Sequence, residues 1–184
     1  IKRSDTLRDK EYYQTVYARY AGSVAAPTAG LHFTDELIAQ LKAQGHSFAQ
    51  VMLHVNYATF KPVEEENIKE HQMHAEEYSV SARTWKRLAQ ARKAGTTIVA
   101  VGTTSCRTIE SVARTAARRG KTDLFLYPGC DFMMTDVLIT NFHLPRSSLL
   151  MLVYAFGGAA LMKKAYQTAI KEKYRCYSYG DGKS

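Results

Sequence analysis

The feature that most constrains the fold is an apolar run that passes through a glycine and hydroxyl residues into a helix-forming segment. The run covers residues 97–101 and is apolar after Thr97, Gly102 stops it, and residues 103–110 suit a helix. A strand that enters a helix in this way exposes the first N–H groups of the helix, whose partial positive charge favours an anion. The stretch predicts either an anion site or a plain turn capped by Thr103 or Thr104.

Apolar runs alternate with helix-forming segments along the chain, which favours an α/β domain with a mostly parallel sheet. Three runs deliver polar groups where they end: the first at His54, the second at residues 103–107 and the third at residues 141–143. Ligands bind at the carboxyl edge of such sheets. We therefore expect the three ends to converge on one edge.

Several helices have recognisable starts. Thr34, Ser81 and Ser147 are suitable N-caps, and residues 37, 38 and 41 give the helix after Thr34 an apolar stripe that should be buried. Tyrosines at helical spacing predict another helix over residues 9–20. We see no internal boundary within residues 1–184.

Composition is that of an ordinary globular protein, with 46% hydrophobic and 23% charged residues among 184. The formal charge of +8 favours a polyanionic partner, most commonly nucleic acid. Three widely spaced cysteines suit a reducing compartment better than a disulfide framework, so we expect a cytoplasmic location. No apolar stretch is long enough to predict a membrane span.

His71, His74 and Glu76 are spaced as HxxHxE, which can ligate a metal or place imidazoles for proton transfer. The HExxH zinc motif is absent, so we expect no metal. Other phosphate and hydrolase motifs are missing too: the chain ends in GKS without the rest of a Walker loop, and it lacks GxSxG and GxGxxG.

A basic cluster follows the helix that begins near Gly102. It can hold RNA phosphates or complement the carboxyl end of that helix. Its members are Arg114, Arg118, Arg119 and Lys121.

The chain resembles the S-adenosylmethionine:tRNA ribosyltransferase-isomerases of queuosine biosynthesis, the QueA family. The matching residues keep their order from one end of the chain to the other. They are residues 13–18, 25–33, 53–55, 59–60, 71, 73–74, 76, 101–105, 107, 140–145, 149–153, 174–175 and 178–181.

The resemblance implies a three-layer αβα sandwich that is interrupted, in the family, by a small β-barrel. The chain resembles only the C-terminal part of the large α/β domain. We therefore expect the fold to be incomplete without the N-terminal segment and the inserted barrel, which would belong to the parent protein or to a separate chain.

The resemblance also implies a reaction: the ribosyl unit of S-adenosylmethionine is transferred to 7-aminomethyl-7-deazaguanine at the tRNA wobble position and isomerised, giving epoxyqueuosine-tRNA, while adenine and methionine leave. The partner is that tRNA. S-adenosylmethionine is a consumed substrate, and no true cofactor is expected.

Such a reaction needs a base for the C–H proton beside the sulfonium, an acid for departing adenine and an anion site for the methionine carboxylate. The candidates for proton transfer are His54, His71, His74 and His143. The candidates for substrate binding are His32, Thr103, Thr104, Ser105, Arg107, Glu110, Asn141, Tyr179 and Asp181. Within this set Glu110 is placed to orient Arg107, and Asn141 to contact a base edge.

One hypothesis follows for Arg107: its replacement by alanine should cripple tRNA modification and leave the fold intact. Two other functions stay open. One is a non-catalytic basic RNA-binding module or half of a split enzyme, and the other is a metal-dependent hydrolase built on residues 71, 74 and 76.

Overall fold

The computed structural model describes residues 13–18, 26–55, 68, 71–175 and 182–183. These residues form two small sheets and a set of helices, and the predicted α/β class is confirmed. Within the described residues no single helix has the length and apolarity to cross a membrane; only the pair Ser148–Gly157 and Ala159–Lys171, bent by 117°, meets the length and composition criteria together.

The first sheet is antiparallel and has the strand order β1–β2–β4. Its strands are β1 (Met52–His54), β2 (Glu76–Ser79) and β4 (Arg119–Thr122). Side chains alternate across β2, where Glu76 and Tyr78 are buried and Glu77 is exposed. One face of this sheet is therefore turned into the protein and the other carries charge.

The second sheet has the order β3–β5–β6, with β3 (Val99–Val101) parallel to β5 (Val137–Asn141) and β6 (Gly182–Lys183) antiparallel to β5. Only one of the four pairings in the described residues is parallel, which differs from the mostly parallel sheet that we predicted. The spacing of apolar residues indicates a strand but carries no information about the direction of its partner.

Strand β4 accounts for one of the three antiparallel pairings. The helix that precedes it ends at Thr115, Ala116 adopts a left-handed conformation (φ 59°), and the polar sequence Arg-Gly-Lys-Thr then pairs with β2. We had placed Arg118, Arg119 and Lys121 near the carboxyl end of that helix. A four-residue strand without an apolar alternation gives no sequence signal.

Three of the helices begin at the caps that we predicted. The hydroxyl groups of Thr34, Ser81 and Ser147 each accept a hydrogen bond from the backbone N–H three residues later. They open α1 (Asp35–Ala43), α2 (Ala82–Lys93) and α4 (Ser148–Gly157). The remaining helices are α3 (Thr103–Thr115), α5 (Ala159–Lys171) and a 3-10 helix over Thr28–His32.

Two helix predictions are wrong in part. Helix α1 buries none of its residues, so the stripe of Leu37, Ile38 and Leu41 is not a core face of the described chain. Residues 13–18 form turns where a helix was expected, and the rest of residues 9–20 lies outside the described part of the chain.

The main core lies between the second sheet and the helices α3 and α4. It is formed by Ile98, Ala100, Cys106, Ile109, Leu126, Met134, Leu138, Leu152 and Val153. A smaller cluster of Leu53, Tyr78, Val80 and Val112 joins the first sheet to α3. Helix α3 thus packs against both sheets, and its start is held where β3 ends.

Candidate functional site

The candidate site lies at the carboxyl edge of the parallel pair β3–β5. Because the two strands run in the same direction, Gly102 after β3 and Asn141 at the end of β5 lie at the same edge. The Gly102 N–H donates to the Ile139 carbonyl at 2.8 Å. The predicted convergence therefore holds for two of the three strand ends, while His54 belongs to the other sheet.

Gly102 sets the geometry of this edge. Its φ of 89° is strained for any residue with a side chain, and a Cβ there would meet the Ala29 methyl group at 3.8 Å. The 3-10 helix that contains Ala29 thus lies directly against the start of α3. Gly30 is more tightly confined, since a Cβ at residue 30 would overlap the Tyr17 hydroxyl group.

Helix α3 begins without a side-chain cap. Gly102 occupies the N-cap position, and no acidic residue stands in the first turn. This contradicts the alternative in which Thr103 or Thr104 caps the helix. Its first turn consists of Thr103, which is buried, with the half-buried Thr104 and Ser105. An uncapped helix start next to hydroxyl groups has the chemistry that binds a carboxylate or a phosphate.

A chain of side-chain hydrogen bonds joins the 3-10 helix to the end of β5. The Thr28 hydroxyl donates to Asn141 Oδ1 at 3.2 Å, and Asn141 Nδ2 lies 3.0 Å from His32 Nε2. Because an amide nitrogen only donates, His32 Nε2 accepts with the amide in this orientation, which corresponds to the tautomer that carries its N–H on Nδ1. Asn141 is buried and His32 is exposed, so a buried side chain holds one nitrogen of a ring that contacts solvent.

His143 is held at the same strand end. Its Nε2 lies 2.9 Å from the Thr140 hydroxyl, and its backbone N–H donates to the Tyr166 hydroxyl at 2.9 Å. The neighbouring Phe142 is buried and meets the Tyr166 ring edge to face at 5.3 Å. Two of the predicted residues with imidazoles, His32 and His143, therefore share the end of β5.

Arg107 does not point to open solvent. Only 4% of its side chain is exposed; Nη1 donates to the carboxylate of Glu76, which is fully buried, and Nε donates to the Leu124 carbonyl at 3.1 Å. Its Nη2 is buried without a hydrogen-bond partner among the described residues. Arg107 thus ties α3 to the first sheet, and substrate binding by it stays a prediction.

Glu110 does not orient Arg107. Its Oε1 accepts from the N–H groups of Met134 and Thr135, and its Oε2 from the Met133 N–H, each at 2.9 Å, and from the Arg114 guanidinium. Burial alone raises the pKa of the Glu110 carboxyl, but these four donors together outweigh it and hold that pKa below its ordinary value. The carboxylate anchors residues 133–135 to α3.

The other predicted residues are dispersed. His54 lies opposite Glu77 on the first sheet, His71 meets the Phe125 ring at 5.0 Å, and His74 is exposed. Tyr179 and Asp181 lie outside the described residues. In the basic cluster Arg114 is bound to Glu110, whereas Arg118 and Arg119 are exposed and Lys121 Nζ is 3.9 Å from the Glu77 carboxylate.

Metal and thiol chemistry find little support in the described part of the chain. The Glu76 carboxylate is bound to Arg107, and no group of three His, Cys, Asp or Glu side chains there is placed to hold a metal ion. Burial raises the pKa of the Cys106 thiol to about 12, so it stays protonated and unreactive at neutral pH.

Sequence reasoning missed Thr28, Thr140 and Tyr166, which position the site's polar groups. It also missed Glu76 as the partner of Arg107. The signal for Thr28 was its place in residues 25–33, one of the stretches that match the family. The contact of Thr28 with Asn141 joins residues 113 positions apart, a separation that no local pattern reveals.

Comparison with known proteins gives a consistent result. A family profile described as "Queuosine biosynthesis protein" matches residues 1–183. S-adenosylmethionine:tRNA ribosyltransferase-isomerase of Thermotoga petrophila is 56% identical over 93% of this chain and 52% of its own length; the relative from Natranaerobius thermophilus is 52% identical over 96% and 53%.

A solved structure is also similar. The crystal structure of S-adenosylmethionine tRNA ribosyltransferase from Thermotoga maritima matches with a TM-score of 0.69 and 47% identity, covering 84% of this chain and 50% of that one. The chain therefore spans about half the length of the curated relatives that it matches.

Proposed function

The chain belongs to the queuosine biosynthesis protein family, and from that premise we propose that it supplies part of the active site of an S-adenosylmethionine:tRNA ribosyltransferase-isomerase. In the proposed reaction the ribosyl unit of S-adenosylmethionine moves to 7-aminomethyl-7-deazaguanine in the tRNA and is isomerised, with release of adenine and methionine. S-adenosylmethionine is consumed, no metal or further cofactor takes part, and the reaction proceeds in the cytoplasm.

The observation that carries the proposal is the juxtaposition at the end of the β3–β5 pair. The uncapped start of α3 lies against the 3-10 helix, and His32, Asn141 and His143 stand at the same edge. The substrate has an anionic carboxylate, a sulfonium and a base that leaves with a proton. The anion site suits the carboxylate, and the imidazoles suit the proton transfers beside the sulfonium and at the departing base.

In this assignment the first turn of α3, with Thr103, Thr104 and Ser105, receives the methionine carboxylate. Its N–H groups and the helix dipole favour the negative charge, and no acidic side chain stands in that turn to repel it. His32 and His143 are the groups for proton transfer. Neither His54 nor His71 is needed for this edge, since both stand on other elements.

The experiment uses protein expressed from the complete reading frame that contains this chain. S-adenosylmethionine and tRNA carrying 7-aminomethyl-7-deazaguanine are supplied, and free adenine is measured by chromatography. We expect adenine in a 1:1 ratio with modified tRNA, unchanged by a metal chelator. No adenine above the level with tRNA that carries ordinary guanine contradicts the proposal; chelator-sensitive turnover that zinc restores contradicts its metal-free part.

A second candidate, a basic RNA-binding module without catalysis, rests on the exposed edge of the first sheet. Among the described residues β4 pairs on one side only, with β2. Arg119 and Lys121 on this strand and Arg118 just before it are exposed. These cations can neutralise phosphates of the tRNA whichever function is correct, so binding and adenine release are measured separately.

Replacing Arg118, Arg119 and Lys121 by glutamine should weaken tRNA binding. If each of the three side chains neutralises one phosphate, the magnitude of the negative slope of log K against log salt concentration should fall by about 2, at roughly 0.7 per contact. The control replaces Lys163, Lys164 and Lys171, which are exposed on α5, with glutamine. It removes the same three positive charges. Equal losses of affinity in the two variants would assign the effect to net charge and not to this edge.

A further inference from the structure

Of the two histidines at the end of β5, only His32 combines a fixed ring with exposure. The ring of His143 is half-buried, and its Nε2 is bound to Thr140 on its own strand. His32 is exposed, and its Nε2 is held by an amide from a different element, 109 residues away. One ring nitrogen of His32 is thus held by the buried Asn141 amide while the other is available to a substrate, which is the arrangement that a proton-transfer group requires.

We propose that His32 is the base that removes the C–H proton beside the sulfonium, and that Asn141 is the positioning residue that holds its ring. This inference rests on the proposed function and specifies the chemistry of its site. It changes two roles given above on sequence grounds: His32 reacts where it was expected only to bind, and Asn141 is occupied by the protein where it was expected to contact a base edge.

The location of His32 follows from the 3-10 helix. Residues three apart eclipse one another in such a helix, so His32 stands above Ala29, whose methyl group faces Gly102 at the start of α3. One turn of a 3-10 helix rises by about 6 Å. The His32 ring is therefore about one such turn away from the contact between Ala29 and Gly102.

Asn141 can hold either tautomer of the neutral His32 ring, and one of the two also suits the imidazolium. In the observed arrangement Nδ2 donates to Nε2 of a neutral ring while Oδ1 accepts from Thr28. If the amide turns by 180°, Oδ1 accepts from an Nε2–H and Nδ2 donates to the Thr28 hydroxyl, which can accept. The second arrangement leaves Nδ1 open, either as a lone pair or as the N–H of an imidazolium.

The step is balanced in protons and electrons. The step starts from the second arrangement, in which Nε2 carries the ring N–H and donates to Asn141 Oδ1. The Nδ1 lone pair of His32 then forms a bond to the proton, and the C–H electron pair stays on the carbon beside the positive sulfur as an ylide. His32 becomes an imidazolium whose Nε2–H donates to Asn141. His32 gives the proton up when the glycosidic bond breaks. The electron pair of that bond goes to an adenine nitrogen, and adenine then takes the proton from Nδ1.

The test has two readouts, made on the complete protein with S-adenosylmethionine and the precursor tRNA in D2O. The first is deuterium incorporation at the carbon beside the sulfonium in recovered S-adenosylmethionine, and the second is adenine release. We expect His32→Ala to lower kcat for both by about 10² to 10⁴-fold, the usual contribution of a general base, with little change in KM. His46→Ala, at an exposed histidine after α1, is the matched control.

Rescue separates a chemical role from a structural one. Because His32 is exposed, added imidazole can enter the space left by His32→Ala and should restore part of both readouts. Asn141→Ala should lower kcat by less than His32→Ala and should not respond to imidazole, since the His32 ring is still present. Asn141→Asp can still accept hydrogen bonds from that ring and from Thr28, so it should retain more activity than Asn141→Ala.

Each outcome decides something. Adenine release and deuterium exchange that persist in His32→Ala, or a loss that appears only as a higher KM, overturn the role of His32 and leave the proposed function standing. Exchange without adenine release in the unaltered protein overturns the proposed function, and loss of that exchange in His32→Ala then supports His32 as the base. Absence of both in the unaltered protein overturns both.

Discussion

Replacing Arg107 with alanine is expected to destabilise the fold by about 3 to 5 kcal/mol, because it removes the Arg107 guanidinium from the fully buried Glu76 carboxylate. Native domains have a free energy of unfolding of roughly 5 to 15 kcal/mol, so this is a large share of the total. At about 2 to 4 °C per kcal/mol for a chain of this size, the melting temperature should fall by about 10 °C.

The measurement is thermal and urea unfolding followed by circular dichroism, and the control is a double-mutant cycle. Arg107→Met together with Glu76→Leu removes both charges and should recover much of the loss, because a buried ion pair replaced by apolar groups is often neutral. The buried Arg107 Nη2, which has no partner among the described residues, makes such recovery easier. Equal stability of Arg107→Ala and the unaltered protein would contradict the structural role.

This expectation revises the hypothesis drawn from the sequence, in which the same substitution removes activity and leaves the fold intact. An arginine in the first turns of a helix after a glycine resembles an anion-binding residue from its position alone. Its partner lies on β2, 31 residues earlier, and a contact between strand and helix at that separation is invisible in a local pattern. An activity loss in Arg107→Ala is therefore informative only at a temperature where the variant is folded.

The local parts of the fold were predictable for a physical reason. Caps at Thr34, Ser81 and Ser147 act over three residues, and the strand that ends at Gly102 is marked by its own composition. What could not be predicted depends on distant partners. The direction of strand pairing, the polar strand β4 and the incomplete burial of the apolar stripe of α1 are all set by what packs against each element.

The candidate site divides along the same line. The strand end at Asn141 and the turn after Gly102 could be found from the sequence, and their convergence follows from one parallel pair. The anchoring of His32 by Asn141 and Thr28 could not, because the three residues come from two elements more than 100 positions apart. Resemblance supplied His32 as a candidate, and only the geometry supplies a role for it.

Replacing Glu110 with glutamine should cost about 3 kcal/mol, although the two side chains have the same shape. An amide NH2 in place of one carboxylate oxygen faces the Met133 N–H and the Arg114 guanidinium, so donors meet donors, and each buried group left unsatisfied costs roughly 1 to 3 kcal/mol. Arg114→Gln is the matched control. It leaves the three backbone N–H donors to Glu110 in place and should cost about 1 kcal/mol, as for a partly exposed charge pair.

The pH dependence of these variants gives an independent check. Because the pKa of Glu110 is lower in the folded protein than its ordinary value of 4.5, its stabilisation is complete above about pH 4.5 and is lost as the pH falls through the folded pKa. In acid, the free energy of unfolding measured in urea should therefore fall more steeply for the unaltered protein than for Glu110→Gln, and the two values should approach each other. A gap that stays constant from pH 7 down to pH 3 would show that the carboxylate's charge does not hold residues 133–135, and that shape alone does.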